Sequence, residues 1–243
     1  METHVHHLHE APGKKWTHYL FEFFMLFLAV FCGFLAENQR EHMIEHQRER
    51  QYTKQLLADL RKDSAFFKRR VTIVDSTFEK SWIKELFAQQ QHPADSEIIG
   101  GFLKEFWSFD VSLTNSTFIQ MKTSGALRYI RSSQLTSELQ KYYDVLLERV
   151  IVQSDVARNF FNDYMLPWYV RHIKAQDLDA LGDTILKSNT TIIDRTEKTD
   201  QEVLNITDAY RVFILSVREK MYRPAALQAD SLITMIKKEY DLK

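Results

Sequence analysis

The sequence predicts an all-α chain: an N-terminal transmembrane helix continuing into a long stalk helix, then a helical bundle. Three observations carry that expectation. Only 6 of 243 residues are Gly and 4 are Pro, too few corners for a turn-rich β-sandwich. Apolar residues recur at steps of three and four along much of the chain, and no segment offers a convincing series of alternating strands. One run, Tyr19 to Ala36, is apolar throughout except at Glu22. With 44% hydrophobic and 27% charged residues the chain is too apolar to be disordered. Its 32 Lys+Arg against 33 Asp+Glu concentrate no positive charge, so nucleic acid is not an expected partner. Cys32 is the only cysteine, which excludes an intramolecular disulfide and a zinc site built on several thiolates.

Residues 1–15 read as a short polar tail. Its histidines His4, His6, His7 and His9 have the chemistry to chelate a transition metal or to change charge near about pH 6.5, but a short segment without preorganisation reads as a tail. Residues 16–36 read as the transmembrane helix. The Tyr19–Ala36 run would rise about 27 Å as a helix, close to the thickness of a bilayer core. Six phenylalanines point to all sides of it, and Lys14, Lys15, Trp16 and Tyr19 bracket its start as an interfacial anchor would. A cleaved signal peptide is disfavoured because Phe34-Leu35-Ala36 lacks the small-x-small pair, and a lipoprotein signal because bulky Phe31 precedes Cys32. His18, Glu22, Ala29, Gly33, Ala36 and Arg40 fall along one line of this helix. Small residues let helix backbones approach in lipid, so Glu22, Ala29, Gly33 and Ala36 form a candidate helix–helix interface. Glu22 either bonds to a partner helix or reaches the headgroup layer.

Orientation signals conflict. Lys14 and Lys15 touch the start of the span, whereas more Lys and Arg follow it than precede it, interleaved with acids. The paired lysines favour a cytoplasmic N-terminus and an exported bulk.

Residues 37–56 read as a charged stalk helix, with Glu and Arg at helical spacings. Residues 57–243 read as the bundle. Leu57, Leu60, Phe67, Val71, Val74 and Phe78 make a packing seam with Ser64 as its one polar interruption, followed by Trp82 and Leu86; packing on the chain's own later helices is preferred to a coiled coil between protomers. A break is expected at His92–Ser96, then a bulky cluster of Phe106, Trp107 and Phe109. Asn115-Ser116 offers capping residues before Phe118 and Met121, Gly125 suits the left-handed position at a helix end, and Leu127 with Ile130 re-enters the core. This corner, Phe118, Met121, Gly125 and Leu127, is also a candidate partner-binding site. Ser132-Ser133 opens a helix with Leu135, Leu139, Tyr142, Leu146 and Val150 on its face, continuing toward Pro167. Asp177–Lys187 reads as a short helix followed by the polar SNTT connection. One further helix carries Val203, Ile206, Tyr210, Phe213 and Val217, and another follows Arg223-Pro224 with Leu232, Ile233, Ile236 and Tyr240.

Motifs for chemistry are weak. His42-Met43-Ile44-Glu45-His46 matches H-x-x-E-H, in which two histidines a turn apart bind zinc and the glutamate activates water. Such a site needs a third ligand and a walled cleft, and this match lies in a charged stalk. No phosphate-cradling loop or nucleophile elbow is present. Asp59, Asp63, Asp144, Asp155 and Asp163 read as solvated helix faces, and Tyr142, Tyr143, Trp168 and Tyr169 as core. No catalytic residue, metal ligand or cofactor site is expected.

The span with its charged helix and RERQYTKQLLADLRKD (48–63), together with TFIQMKTSGALRYI (117–130) and the L-x-x-x-L-x-x-Y-Y pattern of Leu135 to Tyr143, resembles a group of uncharacterised bacterial membrane proteins. They carry one N-terminal span and a helical domain of unknown function. The resemblance covers roughly residues 14 to 145 and implies a bacterial setting and one architecture, with no catalytic residues to transfer. The expectation is therefore a single-pass inner-membrane protein, its N-terminus cytoplasmic and its helical domain periplasmic. It would act by protein contacts, as an assembly or accessory subunit of an envelope complex, with the bilayer and a second copy or another membrane protein as partners. The alternative is a ligand-sensing bundle that passes its signal to a partner membrane protein.

Overall fold

The computed structural model describes residues 14–104, 111, 113–174 and 191–241. Most of them are helical, with a single isolated bridge between Ile173 and Ile192 and no strand among the described residues. Phe106, Trp107 and Phe109, the expected helix at Asp177–Lys187 and the N-terminal histidines lie outside the described residues. The first helix, α1 (Lys14–Phe78), is followed by α2 (Trp82–Gln89), α3 (Asp95–Lys104), α4 (Ser116–Thr123) and α5 (Ser133–Gln140). Then come α6 (Leu147–Phe160), α7 (Leu166–His172), α8 (Glu197–Val217) and α9 (Arg223–Tyr240). The chain divides into two compact units, residues 1–51 and 52–243.

In the first unit every residue from Trp16 to Arg40 is exposed. Its charged turns are held by local pairs at helical spacing, Arg40 with Glu37 and His46 with Glu49. The second unit is a helical bundle that begins with Tyr52 and Thr53, slightly before the seam that starts at Leu57. Leu57, Leu60, Phe67, Val74 and Phe78 are buried, and Val71 packs against them. Ser64, the polar member of the seam, is also buried, and its hydroxyl donates to Asp230 Oδ1 of α9 at 2.6 Å. Lys68 joins the same carboxylate at 2.7 Å. Lys68 and the Ser64 hydroxyl hold the Asp230 carboxyl below its ordinary range. This seam therefore packs on the chain's own last helix. Phe67 meets Tyr222, and Phe78 meets Tyr210 edge-on.

The end of α1 is made by arginines from later in the chain. Arg211 donates to the carbonyls of Phe78 and Glu79, both at 2.8 Å, satisfying acceptors that a helix end leaves open. Arg218 pairs with Asp75 and Glu79, and Arg223 with Asp75. The predicted break before α3 is present. There Ala94 N–H donates to Glu97, and Arg195 binds Asp95, Asp200 and the Pro93 carbonyl. Gly101 of α3 is needed because a β-carbon there would fall 2.1 Å from the Trp82 ring.

Two expectations about α5 to α9 need correction. The helix opened by Ser132, whose Oγ accepts from Leu135 N–H, does run to His172, but it passes through two π segments, Lys141–Leu146 and Phe161–Met165. The last two helices are not separated at Arg223-Pro224: a third π segment, Arg218–Tyr222, joins α8 to α9. Pro167 and Pro224 each sit in the first turn after a π segment. A proline ring clashes with the carbonyl four residues back and leaves it without a donor, and a widened turn relieves both problems.

Candidate functional site

Four places in the described residues bear on function. The first is the apolar segment. None of its eighteen-residue apolar window is buried, and Phe21, Leu26 and Val30 keep 67%, 70% and 69% of their surface open. It is the one helix among the described residues that is long and apolar enough to cross a membrane. Glu22, Ala29, Gly33 and Ala36 lie on it, all exposed, and a β-carbon on Gly33 would meet nothing within 4 Å. Cys32 is exposed as well.

The second is the H-x-x-E-H match. His42 lies 3.9 Å from Glu45 and His46 3.1 Å from Glu49, each three residues on along the same helix. Both imidazoles are about two-thirds exposed, at 66% and 61%. No group of three metal-ligating side chains occurs among the described residues, so the third ligand that a zinc hydrolase requires is absent there.

The third is the corner at α4. Asn115 occupies the N-cap position without a side-chain cap bond, and Gly125 takes the left-handed conformation at φ 71° just past the helix. Phe118 and Met121 are buried, with Phe118 stacked on Tyr143 at 4.5 Å, and Leu127 is half-buried against the core. The corner is thus built as part of the bundle interior, and the side chains it presents to solvent include those of Ile119, Gln120, Lys122, Thr123 and Arg128.

The fourth was missed by sequence reasoning. Asp144, Asp155 and Asp163 are on the surface as expected, the first two paired with Lys122 and Arg158, but Asp59 and Asp63 are buried. Asp63 Oδ1 accepts the Thr114 N–H at 3.0 Å, and its Oδ2 accepts the Tyr142 hydroxyl at 3.2 Å. Burial pushes the Asp63 carboxyl up to about 6; the two hydrogen bonds pull the other way, and Asp59 on the preceding turn adds to the rise. Burial and the nearby Asp63 carboxylate raise the Tyr142 and Tyr143 phenols far above their ordinary range. Asp59 Oδ2 and the Tyr143 hydroxyl have no hydrogen-bond partner among the described residues. The π segment Lys141–Leu146 brings the consecutive Tyr142 and Tyr143 inward together. A signal for this site was present. Leu56, Leu60, Asp63 and Phe67 keep steps of four and three, so Asp63 stands where the seam calls for an apolar residue.

No family model matches the chain, and neither a curated protein nor a solved structure matches it.

Proposed function

We propose that this chain is a membrane-anchored, non-catalytic helical protein that acts through protein contacts, as an assembly or accessory subunit of a bacterial envelope complex. One observation carries the reading: the apolar segment from Trp16 to Leu35 is exposed along its whole length, while the bundle buries its own seam. Apolar surface on this scale is costly in water and stable in lipid or against another apolar helix. The bulky Phe and Leu side chains suit acyl chains, and the stripe of Glu22, Ala29, Gly33 and Ala36 suits close approach of a second helix. Lys14 and Lys15 favour the cytoplasmic side for the N-terminus, with the bundle on the periplasmic side of the inner membrane. The bacterial setting comes from the resemblance carried by residues 14 to 145.

Crosslinking in native membranes followed by mass spectrometry tests this reading. The expected result is a defined partner or a homo-oligomer linked through the apolar helix, in a fraction that alkaline carbonate does not extract. A folded, monomeric chain in the aqueous fraction without detergent overturns it. Labelling of single cysteines placed in the stalk and near the C-terminus, in a background with Cys32 replaced, reads the side of the membrane.

A further inference from the structure

We propose that the groove between the first and third π segments binds a small anion with an apolar body, such as a phosphate monoester or carboxylate on a short acyl or aryl group. The groove is a shallow concavity, open to solvent, with a volume of about 510 Å³, room for a small ligand that stays partly exposed. One wall presents Lys141, Val145 and Arg149 at intervals of four, and the other presents Lys220, Pro224 and Gln228 at the same interval. Each wall thus starts on a π segment and continues onto the following α-helix. Wide turns of this kind recur at functional sites because they displace side chains from the regular helical rows.

The charge on the walls is unbalanced. The groove holds three cations and one carboxylate, Glu138, which is already committed to Lys141 at 2.6 Å. Arg149 and Lys220 have no carboxylate partner among the described residues. The arginines that organise the bundle, Arg195, Arg211, Arg218 and Arg223, each bind an acid or a main-chain carbonyl. A guanidinium and an ammonium facing a shared concavity are placed to bind one anion from two sides. Between them Val145, Leu146 and Pro224 offer apolar surface, so the complementary ligand carries charge at one end and carbon at the other. Gln228 Nε2 reaches the Glu138 carbonyl at 3.5 Å and closes one end of the groove. The segment that carries Lys141 and Val145 outward carries Tyr142 and Tyr143 inward, where the Tyr142 hydroxyl donates to Asp63.

The experiment is a calorimetric titration of the full chain, in neutral detergent micelles at low salt, with phenyl phosphate, inorganic phosphate and phenol as probes. Phenyl phosphate is expected to bind saturably and about tenfold more tightly than either of the other two, with affinity falling as salt rises. Arg149→Ala and Lys220→Ala are each expected to weaken it about tenfold, while Lys238→Ala on α9 leaves it unchanged. Both groove residues are exposed, and circular dichroism verifies that the variants fold. No saturable binding up to about 10 mM, equal affinity for inorganic phosphate, or indifference to both substitutions would overturn the assignment. The inference does not rest on the anchoring proposal: a chain that left the membrane fraction yet bound phenyl phosphate would sink the anchor and keep the groove.

Discussion

A carboxylate buried in the bundle core beside Tyr142 and Tyr143 is costly to ionise, which is why the Asp63 carboxyl is pushed up to about 6. In the unfolded chain the same group titrates near its ordinary value of 3.8. Between those two values the folded state binds more protons than the unfolded one. The stability Asp63 contributes is therefore fully present below about pH 4 and is lost as pH rises through about 6. A rise of this size corresponds to about 2–3 kcal/mol, an upper bound given partial solvent screening. Asp63→Asn keeps an acceptor for the Thr114 N–H and removes the charge. It is expected to raise stability at pH 7.5 by about 1–2 kcal/mol and to flatten the pH 4 to 7 slope relative to the unmodified chain; urea unfolding of the two at several pH values measures both. A parallel slope for the two proteins would show that Asp63 is not the titrating group. Gly101 makes a steric counterpart. The Trp82 ring occupies the space that a β-carbon would need, so Gly101→Ala is expected to lower stability by about 1–3 kcal/mol in the same assay, although alanine is the better helix former.

Helix ends and interruptions in this bundle are set by charged and cyclic side chains more than by local capping boxes. Phe78 and Glu79 leave carbonyls open where α1 stops, and the Arg211 guanidinium fills both. Arg211→Met keeps the aliphatic stem and loses the two bonds, so a loss of about 1–3 kcal/mol is expected, seen as a lower thermal midpoint and as faster amide exchange at residues 75–82. Most helices were legible from the sequence because their apolar residues keep steps of three and four: Leu57 to Phe78, Leu135 to Val150 and Val203 to Val217 are buried much as their spacing requires. Ser132 and Gly125 were legible too, since a side-chain cap and a left-handed terminus demand particular residue types. The π segments were not. A proline inside a helical pattern reads as a stop, and only the surrounding packing shows that Pro167 and Pro224 follow widened turns within continuous helical runs. Asp59 and Asp63 were hidden for a related reason. Their type favours solvent, and the partners that make Asp63 tolerable, Thr114 and Tyr142, lie more than fifty residues away in sequence.

On the scale of the whole molecule the chain divides its apolar residues between two uses. After Tyr52 the apolar residues supply the buried core, with scattered ones such as Val212 and Leu227 left at the surface, whereas those between Trp16 and Leu35 stay open on every side. An apolar helix open all round gains nothing in water from one preferred face; in lipid, faces differ by how closely they admit a neighbour. In a bilayer, the proposed setting, Gly33 and Ala29 would allow backbone approach, Glu22 would gain from a polar partner on the same stripe, and Phe24, Phe27 and Phe31 on the opposite side would fill space among acyl chains. Two substitutions separate those roles. Gly33→Leu places four carbons where now nothing lies within 4 Å of a β-carbon, so membrane retention is expected to persist while the crosslinked species falls about fivefold or more. Phe24→Leu, nearly half a turn around the helix from the stripe, is expected to leave both unchanged. Glu22→Gln retains a hydrogen-bonding group and should crosslink close to normally if Glu22 bonds to a partner helix, whereas Glu22→Leu removes the bond and should not. Equal crosslinking by all four variants would mean that contacts are made elsewhere and that the apolar helix is an anchor alone.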